Sequence, residues 1–182
     1  MENNPWKILS SAQVYENPWI SLTEFQVINP GGGKGIYGKV HFKNRAVGIV
    51  PIDNEENIYL VGQFRFPLDS YSWEIPEGGA PFNEDLVSSA KRELKEETGI
   101  EATQWQKLFD IHLSNSVSDE IATVYLATGL SFTNAAPEET EEIQVKKLPF
   151  EEAYQMVLDG KITDSISIAA ILRTKLILLE KL

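Results

Sequence analysis

Glu93, Glu96 and Glu97 stand three and four residues apart, in a stretch where Leu86, Val87, Ala90 and Leu94 recur at helical spacing. At about 100° per residue the three glutamates fall within roughly a 100° arc of one helix face. Like charges so placed repel, at about 0.2–0.5 kcal/mol per pair, and call for a compensating cation. A hard divalent ion such as Mg²⁺ meets that need, because it takes oxygen ligands, keeps several waters and shares its shell with substrate phosphates. Arg92, beside Glu93, can hold one carboxylate in orientation. Taken alone, an acidic run of this kind is more often a solvated helix face. What surrounds it decides.

The helix that must carry these residues has a start and a stop. Asn83 is the expected N-cap, Glu84 and Asp85 suit the first turn, and Gly99 stands where a left-handed C-terminal cap is usual. Upstream, residues 18–27 and 37–42 read as a hairpin across the flexible Asn29-Pro30-Gly31-Gly32-Gly33 turn. Residues 46–52 and 58–66 read as central strands joined by the turn-forming 53–57. A short strand over 71–75 closes on a Pro76-Glu77-Gly78-Gly79 turn. Downstream, 105–113 and 121–127 read as strands, with polar residues 114–120 between them. Residues 133–142 are acidic and lack apolar periodicity, hence a loop. Helical spacing returns over 150–158, ending at Asp159-Gly160, and Asp164 or Ser165 caps a final helix running to 179.

With 182 residues the chain fits one ordinary domain and an added arm. The expected division is a β-rich N-terminal arm over 1–44 and a catalytic domain over 45–182. A 42% hydrophobic and 24% charged composition is that of a globular protein rather than a disordered one. The formal charge of -11, without a basic stripe, would repel a long phosphate backbone, so no nucleic-acid partner is expected. A small polyanion bridged by cations remains compatible with it. The chain has no Cys, hence no disulfide frame, zinc-thiolate site or thiol nucleophile, which agrees with the cytoplasm. The first residues lack the basic and apolar regions of a signal peptide. The apolar stretch over 166–179 is interrupted by Arg173 and Lys175 and is too short to span a bilayer, so no membrane partner is expected.

The acidic helix lies within a longer pattern. Gly78, Glu84, Arg92, Glu93, Leu94, Glu96, Glu97, Gly99 and Ile100 fill every fixed position of G-x5-E-x7-R-E-U-x-E-E-x-G-U, where U is aliphatic. The segment therefore resembles the box of the Nudix hydrolases, a signal far more specific than the glutamates alone. That resemblance implies an α+β fold, the Nudix α/β/α sandwich with a mixed sheet. Gln63-Phe64-Arg65 followed by Trp73-Glu74-Ile75-Pro76 resembles the ADP-ribose pyrophosphatase and nucleoside diphosphate sugar hydrolase branch. So does a β-rich arm before the core, which in that branch builds an intertwined homodimer.

The resemblance implies Mg²⁺- or Mn²⁺-dependent cleavage of a pyrophosphate bond by water, giving a nucleoside monophosphate and a sugar phosphate. Glu93 and Glu97 would be metal ligands, Glu96 would share a metal or bind through water, and the backbone carbonyl of Glu77 would complete the site. Glu84 would support the helix and Arg92. The base would come from the acidic loop: Glu139 as base and Glu141 as a further ligand, with Glu120 a rival. Arg65 suits a substrate phosphate through its forked donors, and equally an ordinary ion pair. Trp6, Trp19 and Tyr15 can stack on a base or bury in an oligomer interface. His41 and His112 fall within strands and are expected to be structural. Ser114-Asn115-Ser116 stands where ADP-ribose-specific members carry a Ser-Pro-Gly turn, implying a broader range that includes GDP-mannose. The alternatives are a hydrolase of nucleoside triphosphates or dinucleoside polyphosphates, and a nucleotide-sugar sensor without activity.

Overall fold

The computed structural model describes residues 3–133, 135 and 142–180. The chain divides into two compact units, Met1–Asn44 with His112–Glu120, and Arg45–Ile111 with Ile121–Leu182. The loop between two strands of the second unit thus belongs to the first.

The first unit is an antiparallel sheet in the order β1-β2-β3, formed by β1 (Lys7–Glu16), β2 (Ile20–Ile28) and β3 (Lys34–Phe42). The Asn29 side chain accepts the Gly33 N–H at 3.0 Å, and Gly32 takes a φ of 87°, so the glycine-rich turn closes on itself. β1 was not expected: every one of its residues is exposed, so it carries no alternation that would announce a strand. The 112–120 loop is fastened to β3 by Asp119. Its carboxylate meets Lys39 Nζ at 2.7 Å, His41 Nδ1 at 2.8 Å and the Phe42 N–H at 3.1 Å. His41 is therefore part of a structural clasp.

Burial pushes the Asp119 carboxyl up, but hydrogen bonds from Lys39, His41 and the Phe42 amide outweigh it and hold it down to about 2. A depressed folded-state value stabilises above the unfolded one, near 3.9, and that stabilisation is lost as pH falls toward 2. With the side chain 32% exposed, the contribution is about 1–2 kcal/mol. Urea unfolding should show this difference between wild type and Asp119→Asn at pH 7, with most of it gone by pH 2 and the rest lost below that. A difference that stays constant over that range would contradict it.

The second unit holds two sheets and three helices. A four-stranded sheet runs β7-β4-β9-β8, from β4 (Asn44–Pro51), β7 (Glu77–Pro81), β8 (Ile100–His112) and β9 (Ile121–Phe132). β4 and β9 are parallel, which makes the fold mixed. A second sheet, β10-β5-β6, pairs β5 (Asn57–Arg65) antiparallel with β6 (Ser70–Glu74) and β10 (Gln144–Pro149). The helices are α1 (Leu86–Thr98), α2 (Phe150–Leu158) and α3 (Ser165–Leu179). Side chains alternate along β4. Val47 and Ile49 join Ala90 and Leu94 of α1 in the core, while Gly48 faces Ile166 of α3. A Cβ on Gly48 would lie 2.8 Å from the Ile166 side chain, so glycine lets α3 close on the strand. This is the expected α+β sandwich, with helices on both faces of the mixed sheet. Among the described residues no helix is long and apolar enough to cross a membrane.

Three local expectations change. Asp85 rather than Asn83 caps α1: its carboxylate accepts the Ser88 N–H at 2.9 Å, while the preceding residues form a turn through Glu84 N–H and Pro81 O. Gly78 and Gly79 lie in β7 rather than in a turn, because the chain pairs with β4 directly after Pro76. β10 is a strand that the sequence pattern does not announce, most of its residues being exposed.

Candidate active site

α1 turns Ala90 and Leu94 into the core and carries its glutamates at the margin of that buried face. Gly99, at a φ of 68°, ends the helix by returning its N–H to Lys95 O at 2.9 Å. Glu97 is only 3% exposed and accepts the Glu77 N–H at 3.1 Å, which ties the helix to the start of β7. Glu93, one turn earlier, lies against Gly78: a Cβ there would sit 2.2 Å from its carboxyl carbon. Arg92 reaches over the same edge. Its guanidinium donates to Glu93 at 2.8 Å, to Glu96 at 3.0 Å and to the Gly79 carbonyl at 2.8 Å, with Glu84 at 3.7 Å. Glu93, Glu96, Glu97, Glu77 and Arg92 are thus assembled from β7 and α1, with Glu84 from the turn between them.

Arg65, at the end of β5, is engaged rather than free. Its Nε bonds both oxygens of the buried Glu74 at 3.0 Å, and its Nη2 bonds Glu74 and, at 2.8 Å, Glu77. Glu77 Oε2 is buried and has no hydrogen bond among the described residues. Burial pushes the Glu77 carboxyl well up; Asp164, Glu74 and Glu97 push it further, against the opposing pull of Arg65. Glu74 and Asp164 are therefore members of this cluster that the sequence did not announce. The available signal was parity: Arg65 and Glu74 sit on neighbouring antiparallel strands with side chains on one face.

The donor set suits a hard divalent ion. It is all oxygen, carries more carboxylates than guanidiniums, and leaves a buried carboxylate oxygen without a hydrogen bond among the described residues. Among the described residues no group of three already converges as a metal cage. Glu93 and Glu96 lean on Arg92 instead, and Glu77 on Arg65. Glu139 and Glu141 lie outside the described residues. Because Gly78 makes room for the Glu93 carboxylate, Gly78→Ala should displace it and lower activity about 10–100-fold. Its melting temperature should stay close to wild type, the neighbour being the end of a flexible side chain. Steady-state kinetics beside thermal melts would check this, and full activity would show that the contact is incidental.

The other sequence-predicted residues belong to the first unit. Trp6 meets Tyr37 edge-to-face, with ring centroids 5.3 Å apart, in a cavity of about 330 Å³ that Phe25, Val27 and Lys39 also line. Trp19 is 67% exposed in the bend just before β2. Glu120 is half-buried at the end of the 112–120 loop, and His112 is exposed.

Comparison with known proteins agrees with this arrangement. The NUDIX domain family matches residues 42–169, and the nucleoside diphosphate sugar hydrolase N-terminal domain matches residues 6–40. An ADP-ribose pyrophosphatase of Mycobacterium tuberculosis is 36% identical over 94% of this chain and 84% of its own length. A methanol dehydrogenase activator of Bacillus methanolicus is 34% identical over 91% of this chain and 90% of its own. A crystal structure of an ADP compounds hydrolase has a TM-score of 0.88 at 19% identity, covering 100% of this chain and 98% of that one, a likeness of fold. The match to the NUDIX domain spans most of the chain and contains the whole acidic helix with its glycine strand: the chain belongs to the Nudix family.

Proposed function

We propose that this chain hydrolyses the pyrophosphate bond of nucleoside diphosphate sugars, with ADP-ribose and GDP-mannose within its range, using Mg²⁺ or Mn²⁺. The observation that carries the proposal is the junction of β7 and α1, where the Glu77 N–H bonds Glu97 and Glu93 lies against Gly78, an excess of carboxylates that suits a cation and, through it, a diphosphate. Glu93 and Glu97, with Glu96 and the Glu77 carbonyl, would hold the metal, which when bound neutralises charge on the diphosphate. Arg92 keeps Glu93 and Glu96 in orientation. Arg65, braced by Glu74 and Glu77 through Nε and Nη2, would present Nη1 to a substrate phosphate. Water is the nucleophile, and its proton goes to a carboxylate: Glu139 first, with Glu120 the rival and Glu141 the added ligand. Trp6 and Trp19 offer aromatic faces to a base, Trp6 from within its cavity.

The N-terminal arm is proposed to join two copies. β1 exposes Ile8, Leu9, Val14 and Tyr15, apolar area that a second copy would cover. Sedimentation at twice the 20.4 kDa chain mass is the expected result, and a monomer at micromolar concentration would contradict it. The cysteine-free chain fits a cytoplasmic site of action.

The test is a turnover panel of ADP-ribose, GDP-mannose, UDP-glucose, NADH, nucleoside triphosphates and dinucleoside polyphosphates with Mg²⁺. The expected products are a nucleoside monophosphate and a sugar phosphate. Release of inorganic pyrophosphate from triphosphates, with the sugars untouched, would overturn the substrate assignment. Binding without turnover of any compound would leave a sensor.

A further inference from the structure

Between the end of β6 at Glu74 and the start of β7 at Glu77, only Ile75 and Pro76 link the two glutamates. Each residue of this link, and the residue after it, is fastened to a different element. The Ile75 N–H donates to Ser167 Oγ of α3 at 2.9 Å, Pro76 O accepts the Ile49 N–H of β4 at 2.8 Å, and the Glu77 N–H donates to Glu97 of α1 at 3.1 Å. Pro76 has no N–H to give. Ser167 is therefore the hydrogen-bond anchor that the C-terminal helix supplies to this link.

The anchor is itself held. Ser167 and Ile75 are 0% exposed. The Ser167 N–H donates to Asp164, the N-cap of α3, at 2.6 Å. Ile166 seats the same turn on β4 through the space that Gly48 leaves. A hydroxyl at 167 thus fixes the peptide plane of Ile75, two residues before the Glu77 carbonyl and one after the Glu74 that braces Arg65.

We infer that Ser167 is a positioning residue for the metal and phosphate site: through Ile75 it sets the orientation of Glu74 and Glu77. The inference rests on the metal reading above and extends it to a helix outside the box. Outer partners of metal ligands are commonly worth 10–100-fold in affinity or activity. Ser167→Ala would leave a buried Ile75 N–H unpaired in the one segment that carries both glutamates.

The test uses the full chain and Mn²⁺ as probe, its affinity measured without substrate, beside kcat, KM and melting temperature. Ser167→Ala is expected to bind Mn²⁺ about 10-fold or more weakly and to lose kcat by a like factor, with KM little changed. Ser167→Thr, which keeps the acceptor, should restore both even if its extra methyl lowers the melting temperature. Thr174→Val is the control, because Thr174 is buried on the same helix and its hydroxyl has no hydrogen bond among the described residues. It should alter the melting temperature alone. Should Ser167→Ala not fold, amide exchange in the wild type decides: Mg²⁺ should slow exchange of the Ile75 N–H. Unchanged Mn²⁺ affinity and kcat in Ser167→Ala, or an Ile75 amide indifferent to Mg²⁺, overturns the inference. Wild type that binds no Mn²⁺, or a Glu97→Gln variant that binds as tightly as wild type, overturns the metal reading instead.

Discussion

Glu97→Gln is expected to lower kcat by about three orders of magnitude, close to 4 kcal/mol, the scale on which a catalytic metal stabilises transition-state charge. The replacement is nearly isosteric, and its amide oxygen can still accept the Glu77 N–H, so the tie between α1 and β7 survives. What disappears is a negative charge at a site 3% exposed. Without metal that charge adds to burial, Asp164 and Glu74 in pushing the Glu77 carboxyl well up. The metal-free melting temperature should hold or rise while activity collapses. Kinetics at saturating Mg²⁺ beside metal-free melts would check the pair of outcomes. Turnover within threefold of wild type would mean that Glu97 holds no essential cation.

Arg92→Ala comes next in size, and here activity and stability should fall together. The guanidinium spans Glu93, Glu96 and the Gly79 carbonyl, with Glu84 nearby, so its removal frees two ligand candidates and leaves the acidic edge uncompensated. Activity should drop about 10–100-fold, as for other outer partners of metal ligands. Stability should drop by about 1–3 kcal/mol, the ordinary cost of orphaning partly buried polar groups. Arg92→Lys should fall between, because an ammonium lacks the planar fork that reaches carboxylates and carbonyl at once. Denaturant melts and kinetics on the three proteins provide the comparison; a lysine variant equal to wild type would reduce Arg92 to a generic positive charge.

α1 was legible because three independent local signals coincide on it: the apolar spacing of Ala90 and Leu94, the stop at Gly99 and the fixed spacing of the box. Such signals do not depend on distant chain. β10 was hidden for the opposite reason. Its two lysines set their ammonium groups over aromatic rings, Lys146 Nζ 3.8 Å from the Trp73 ring centre and Lys147 Nζ 5.7 Å from that of Tyr59, so the strand reads as polar. β1 hides because each of its residues is exposed, so it shows no buried alternation. The pairing of Arg65 with Glu74 needs the register of β5 and β6, and the bond from Ile75 to Ser167 joins residues 92 positions apart. Tertiary contacts of that range leave no mark on local pattern, which is why the places of Glu74, Asp164 and Ser167 around the site emerged only from the fold.

Crystals grown with Mn²⁺ and a non-hydrolysable ADP-ribose analogue offer the most direct measurement, through the anomalous signal of the metal. A peak about 2.1 Å from Glu93, Glu97 and the Glu77 carbonyl, bridging to the diphosphate, is the predicted result. A bound analogue with no metal at those three groups, in crystals of an enzyme that turns over, would contradict the account.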